Sequence, residues 1–149
     1  MTTEMGWDSE MQAVWKEAKQ IAIRCGLQYI DSFVLFLAIV VQNGKVAQAI
    51  DIILIDSGFL LPTMLDEIYH NIGEGESKNP GCEKTPDLDP IERHAKDLAG
   101  IEGLTKTGCI HHMWAIFKVK SPLSILLFEF NIEPSSFDHA MRELENQHG

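Results

Sequence analysis

Apolar residues recur at helical spacing through most of the chain. Met11, Val14, Trp15, Ala18, Ile21, Ala22 and Cys25 fall three and four apart behind a capping signature of Ser9 with Gln12, and Gly26 supplies a left-handed stop. A second helix is expected to open at Asp31 or Ser32, either of which accepts from the free N–H groups of a first turn. Its body, Phe33 to Val41, is apolar on every side, and a helix without a polar face has to be surrounded by others. From Val46 to Ile55 the residues Val46, Ala49, Ile50, Ile53 and Leu54 share one face. The β-branched run there is equally compatible with a buried strand, and the helical context decides for helix. Gly58 ends that segment, Pro62 fits the first turn of a fourth helix, and Met64, Leu65, Ile68, Tyr69 and Ile72 form its inner face.

Residues 73 to 87 hold three Gly, two Pro and no large apolar side chain, which is linker composition. Asp89-Pro90-Ile91-Glu92 then places an N-cap, an N1 proline and an N3 acid in succession, so a fifth helix is expected from Pro90 to about Ile101. A sixth spans roughly Ile110 to Val119. Ser121-Pro122 opens a seventh, with Leu123, Leu126, Leu127 and Phe130 buried and Asn131 as its stop. Pro134, Ser135 and Ser136 lead into the last, with Phe137, Ala140, Met141 and Leu144 inward and Asp138, Glu143 and Glu145 outward.

The two halves share more than a helix count. Without a gap, Gly26, Leu27, Ala38 and Ile39 fall 77 positions before Gly103, Leu104, Ala115 and Ile116, and Val14, Ala18, Ile21 and Ala22 fall on Ile91, Ala95, Leu98 and Ala99. Past residue 40 the offset drops to about 73, placing Gly58-Phe59 on Asn131-Ile132, as a shorter connection in a second copy produces. The expected fold is therefore all-α: eight helices formed by tandem duplication of a four-helix repeat. The boundaries expected are a single domain over 1–149, with repeat one at about 9–72, the linker at 73–87 and repeat two at about 88–147.

Bulk properties narrow the function. The 149 residues are enough for one independent core, and 45% apolar with 23% charged residues is a globular composition. A net charge of -10 argues against nucleic acid, because neutralising phosphates takes clustered Lys and Arg. The N-terminus lacks the pattern of a signal peptide, and the longest apolar run, Phe33 to Val41, is far short of the ~20 residues that cross a bilayer. Cys25, Cys82 and Cys109 are odd in number and not closely paired, which supports neither a disulfide framework nor a zinc knuckle. A cytoplasmic location, no membrane association and no cofactor are the resulting expectations.

The order of these elements resembles one repeat of the Clp N-terminal domain, which stands as a tandem pair at the front of Clp-type protein-unfolding ATPases. The resemblance rests on a small-residue helix, then Gly26-Leu27-Gln28-Tyr29-Ile30-Asp31-Ser32, then Leu35-Phe36-Leu37-Ala38-Ile39, then a helix stopped by Gly58-Phe59. Thr85-Pro86 resembles the family's entry to its second repeat, and the likeness covers roughly residues 11 to 145. The family's helix start reads Thr-Glu-His-Leu-Leu. Here Ser32 matches the Thr while Phe33 and Val34 stand for Glu and His; in the second copy Cys109 and Ile110 replace Thr and Glu, and His111 matches the His. The resemblance implies a non-enzymatic module that docks adaptors or captures unfolded clients in the Clp chaperone–protease system, whether standing alone or cut from a larger chain. It nominates, near the starts of the first and fifth helices, Trp7, Glu10, Met11, Asp89, Glu92 and Arg93 as partner-binding residues.

Other chemistry is thinner. Gly-x-x-x-x-Gly-Lys-Ser/Thr is absent; Gly44-Lys45-Val46 and Gly103-Leu104-Thr105-Lys106-Thr107 lack its spacing, so ATP binding is not expected. His111 and His112 are adjacent, about 100° apart on a helix, and cannot both chelate one ion unaided. No acid lies close to His111 in sequence to orient it, so His94, His111 and His112 are read as structural or surface residues. Cys25 and Cys109 are read as buried, inert thiols. Trp15 and Trp114 lie in apolar patterns and are expected in the core, whereas Trp7, in a polar setting, is the candidate exposed contact. The alternatives are an immunity or assembly-stabilising protein with one dedicated partner, and a small hydrolase using Cys109, His111 and His112.

Overall fold

The structure, a computed structural model, describes residues 6–27, 29–72, 83–84 and 88–148. Among the described residues there are eight helices: α1 (Ser9–Arg24), α2 (Ser32–Gln42), α3 (Lys45–Ser57), α4 (Leu61–Asn71), α5 (Leu88–Ile101), α6 (Cys109–Lys118), α7 (Pro122–Glu129) and α8 (Pro134–His148). The all-α expectation holds. Two residues each of β1 (Tyr29–Ile30) and β2 (Glu83–Lys84) form a parallel pair, the described part of the stretch expected as linker.

α2 is the central element of the first half. Ser32 through Ile39 are all buried, as a helix apolar on every side requires. The Ile-rich segment is helical throughout as α3, since burial of Val46, Ala49, Ile50, Ile53 and Leu54 along one face outweighs the strand preference of its β-branched residues. α1 packs chiefly on α2, α5 on α6, and α3 on α8. The first two seams are built from small residues: Ala18, Ala22 and Ala38 are buried, and so, 77 positions on, are Ala95, Ala99 and Ala115. The buried residues of both halves join in one contiguous core. No single helix among the described residues is long and apolar enough to cross a membrane.

Helix ends were read less well than helix bodies. Asp8, not Ser9, caps α1: its carboxylate accepts from the Met11 N–H at 2.8 Å, and Gln12 donates to the Trp7 carbonyl at 3.1 Å instead of completing a box with Ser9. Asp89 is not an N-cap, because α5 begins at Leu88 and Asp89 sits inside its first turn. Asp31 caps α2, accepting from the Val34 N–H at 2.9 Å. Tyr69, expected inward on α4, is half exposed.

The helix stops repeat at the two offsets seen in the sequence. At the end of α1 the Gly26 N–H donates to Ile23 O (3.1 Å) and the Leu27 N–H to Ala22 O (2.8 Å); at the end of α5 Gly103 donates to Gly100 O (3.0 Å) and Leu104 to Ala99 O (2.9 Å). After α3, Gly58 donates to Ile55 O (3.1 Å) and Phe59 to Leu54 O (2.9 Å). After α7, 73 positions on, Asn131 donates to Phe128 O (3.0 Å) and Ile132 to Leu127 O (2.9 Å). Each is the double backbone bond that a left-handed residue makes possible, and Gly26, Gly58, Gly103 and Asn131 all have positive φ.

These stops generate a paired prediction. Gly100 lies in the last turn of α5 with open space where a Cβ would be, so Gly100→Ala should raise the unfolding free energy by about 0.5–1 kcal/mol. Gly103, at φ +77°, also has open space, yet Gly103→Ala should lower it by ~1–2 kcal/mol through backbone strain alone. Urea denaturation of the two variants checks this; changes of the same sign would refute the assigned stop.

Candidate functional site

Backbone pairing joins the segment before α1 to the loop before α6, and the first turns of α5 lie beside it. Trp7 forms a parallel bridge with Thr107, in which the Asp8 N–H donates to Thr107 O at 2.9 Å and the Thr107 N–H to Gly6 O at 2.6 Å. The Thr107 hydroxyl adds a bond to the same Gly6 carbonyl at 3.2 Å. This pairing draws Trp7 into the fold and stacks its indole on that of Trp15, with centroids 4.9 Å apart and planes 20° from parallel. Trp7 is thus 5% exposed, which corrects its expected role as an exposed contact. Trp15 is buried as expected; Trp114 is only partly buried, packed edge-on against Phe117 and Phe137.

Two depressions flank Trp7. The larger, about 440 Å³, is lined by Trp7 and Trp15 and by Ser9, Gln12, Lys16 and Lys19 of α1. The smaller, about 210 Å³, is lined by Trp7, Thr107 and by Asp89, Glu92, Arg93 and Lys96 of α5. Gln12, Trp15, Lys16 and Lys19 are 77 positions before Asp89, Glu92, Arg93 and Lys96, so corresponding helical positions line both. Spacings of three and four put each set on one stripe of its helix.

Four of the nominated residues, Trp7, Asp89, Glu92 and Arg93, therefore meet in the smaller depression. Glu10 and Met11 do not. Met11 is fully buried, which corrects its nomination as a contact, and its sulfur accepts from the Cys109 thiol at 3.8 Å. Glu10 is exposed, but its carboxylate lies over Gly44 at the start of α3, where a Cβ would meet Oε2 at 3.0 Å. Gln12, Lys16, Lys19 and Lys96 were not nominated. The signal that finds them is the 77-residue offset applied to Asp89, Arg93 and each other.

The α6 start is held differently from the α2 start. Gly108 stands where Asp31 does in the first half, and it lacks a side chain to cap with. His111 serves in reverse: its Nδ1 accepts from the Gly108 N–H at 2.8 Å, which leaves Nε2–H to donate to the Glu102 carboxylate at 2.7 Å. The orienting acid that was not evident in sequence is thus Glu102, nine residues upstream. His112 Nδ1 bonds the Gly108 carbonyl at 2.9 Å. Asp8 lies close over Gly108: a Cβ there would meet Asp8 Oδ2 at 2.5 Å, so a larger residue would displace that carboxylate oxygen.

Cys109 is buried, and desolvation pushes its thiol well above the ordinary range, reinforced by a hydrogen bond to Glu10 and by the charges of Glu10 and Asp8. A thiol held neutral is a poor nucleophile, and both neighbouring imidazoles are engaged at the helix start. Among the described residues no three His, Cys, Asp or Glu side chains are grouped as a metal site requires. The chain matches no protein-family model, and no curated protein sequence matches it at a significant level.

Cys109 is buried as expected, but Cys25, just past the end of α1, is exposed, which corrects its expected burial, and alkylation tests the reading of the two thiols. With Cys82 replaced by Ser, iodoacetamide at pH 8 should modify exposed Cys25 at least ~100-fold faster than Cys109, as peptide mass spectrometry would show. Faster reaction at Cys109 would revive the hydrolase alternative.

Proposed function

We propose that this chain is a tandem duplication of one four-helix unit acting as a non-enzymatic protein- or peptide-binding module of the Clp chaperone–protease system. The observation that carries the reading is the recurrence of the same double backbone bonds at offsets of 77 and 73, on the residues through which the sequence resembles the Clp repeat. The capping role of His111 adds support, because it stands at the one polar position of the family's helix start retained in the second copy. The binding surface would be the pair of depressions beside Trp7, at the starts of α1 and α5, with adaptors or unfolded client segments as occupants. Two stacked indoles supply a rigid floor, and side chains of both signs at the rim supply selectivity. These residues lack a phosphate-binding motif, so the module itself is read as binding polypeptide without hydrolysing ATP.

Trp7 is not a suitable probe of this surface, since removing a buried indole costs about 3–5 kcal/mol in folding. Arg93→Glu reverses an exposed charge and leaves the core intact. An affinity capture from cytoplasmic extract should recover Clp ATPase or peptidase subunits, or a set of unfolded clients, and Arg93→Glu should reduce the yield severalfold at unchanged melting temperature. Recovery of one unrelated protein in stoichiometric amount, indifferent to Arg93→Glu, would replace the Clp reading with that of a dedicated partner-stabilising protein.

A further inference from the structure

α7 breaks the rule that α2 obeys. Leu123, Leu126 and Leu127 face the core, yet Ile125 and Phe128, three apart on the outer stripe, are 54% and 63% exposed. A helix that is apolar inside and out is expected to be covered on both faces. Its first-half counterpart is covered: α3 carries α8, and no comparable contact is made on α7 by α4, the helix that the tandem repeat puts in that role. The uncovered face forms a depression of about 280 Å³, lined by Phe117, Ile125, Phe128, Ile132 and Pro134 and by Lys120 and Glu133. Val40, Ile52 and Leu61 stand 77 and 73 positions before Phe117, Ile125 and Pro134; they line a matching depression in the first half, and there Leu144 of α8 lines it as well. Lys120 lies just before α7 and Glu133 just beyond it, and Glu133 accepts from the Ser135 hydroxyl at 2.7 Å. The first half has Asn43 and Leu60 at these two positions, so the opposite charges belong to the uncovered groove alone.

We propose that this face is an interface with a second copy of the chain, in which two α7 helices pack antiparallel about a two-fold axis. Ile125 and Phe128 of each copy enter the groove of the other, as α8 covers α3 within one chain, and Lys120 of each copy meets Glu133 of the other. The order of charges selects this occupant. A cation before the helix and an acid after it, on either side of an apolar centre, become complementary to themselves when a copy is turned end for end, and an isologous contact uses the pair twice. One exposed helix of eight residues, about 12 Å long, makes a small contact, so the dimer is weak, with Kd ~10–100 µM. This face shares no lining residue with the depressions beside Trp7, and the dimer holds whether or not the Clp reading does.

The test is sedimentation velocity of the purified full chain at low salt, over a range of about 5 to 500 µM that brackets the expected Kd. The sedimentation coefficient should rise from that of a monomer towards that of a dimer. Phe128→Asp should keep the chain monomeric throughout, whereas Ile55→Asp, at the corresponding and equally exposed position of α3, should leave the association unchanged within about twofold. Lys120→Glu should weaken the dimer by about fivefold or more, because it sets two acids against each other at both ends of the contact, and Lys45→Glu, the same charge change elsewhere, should alter it less than about twofold. Reversing the pair, as Lys120→Glu/Glu133→Lys, should restore the original affinity. Thermal melts confirm that each variant folds. A monomer at every concentration, a dimer retained in Phe128→Asp or lost in Ile55→Asp, equal loss in Lys120→Glu and Lys45→Glu, or failure of the reversed pair to restore it would each overturn the proposal.

Discussion

Everything at the candidate site depends on a reciprocal exchange of backbone. The segment before α1 pairs through Trp7 with Thr107, in the loop before α6, and the segment before α5 pairs through Lys84 with Ile30, in the loop before α2. Residue 84 lies 77 positions past 7, and 107 lies 77 past 30, so the offset that superposes the halves converts one bridge into the other. Each half thus closes the other. Such bridges satisfy backbone groups that a helix start would otherwise leave unpaired in a buried place, and an orphaned buried group costs ~1–3 kcal/mol.

The exchange fixes which helix faces can reach a ligand. Trp7 is held extended by its bridge, its indole drops onto Trp15, and α1 and α5 present corresponding stripes on either side of it. At the α6 start the same geometry brings the Asp8 carboxylate over Gly108, where a Cβ would push it aside. Asp31 caps α2 through its carboxylate, whereas at the α6 start the Gly108 N–H is satisfied from inside the helix by His111, which Glu102 holds. A capping bond is worth about 1 kcal/mol, enough for selection to replace it by other means. His111, one of the two histidines that invite a catalytic reading, is accounted for by its bond to the Gly108 N–H.

The legible parts of the fold were those governed by periodicity and by left-handed stops. The bodies of the eight described helices, the burial of α2 from Ser32 to Ile39, and the stops at Gly26, Gly58, Gly103 and Asn131 follow from local pattern, because burial and positive φ each restrict residue type strongly. Helix starts were less legible, since Asp8, Ser9, Asp31, Ser32 and Asp89 are all acceptable caps and only tertiary position decides among them. The burial of Trp7 was not legible at all: it is imposed by a residue 100 positions away, and a short polar neighbourhood gives no hint of a cross-half bridge. Glu102 was missed for a related reason. It follows α5 in a turn, and only the fold carries it to His111.

The site was half legible, and the missing half is instructive. Resemblance pointed to helix starts, hence to Glu10 and Met11, but positions one to three of a helix at a crowded junction are consumed by capping and core packing. Residues one to three turns further on are free to face solvent, and there the two helices carry Lys16 and Lys19, Arg93 and Lys96. Matching α1 to α5 position by position pairs Lys16 with Arg93 and Lys19 with Lys96, exposed cations at the same two positions of both helices. Where the stripe carries Gln12 and Trp15 on α1 it carries Asp89 and Glu92 on α5, so one lobe is cationic and aromatic and the other charge-balanced.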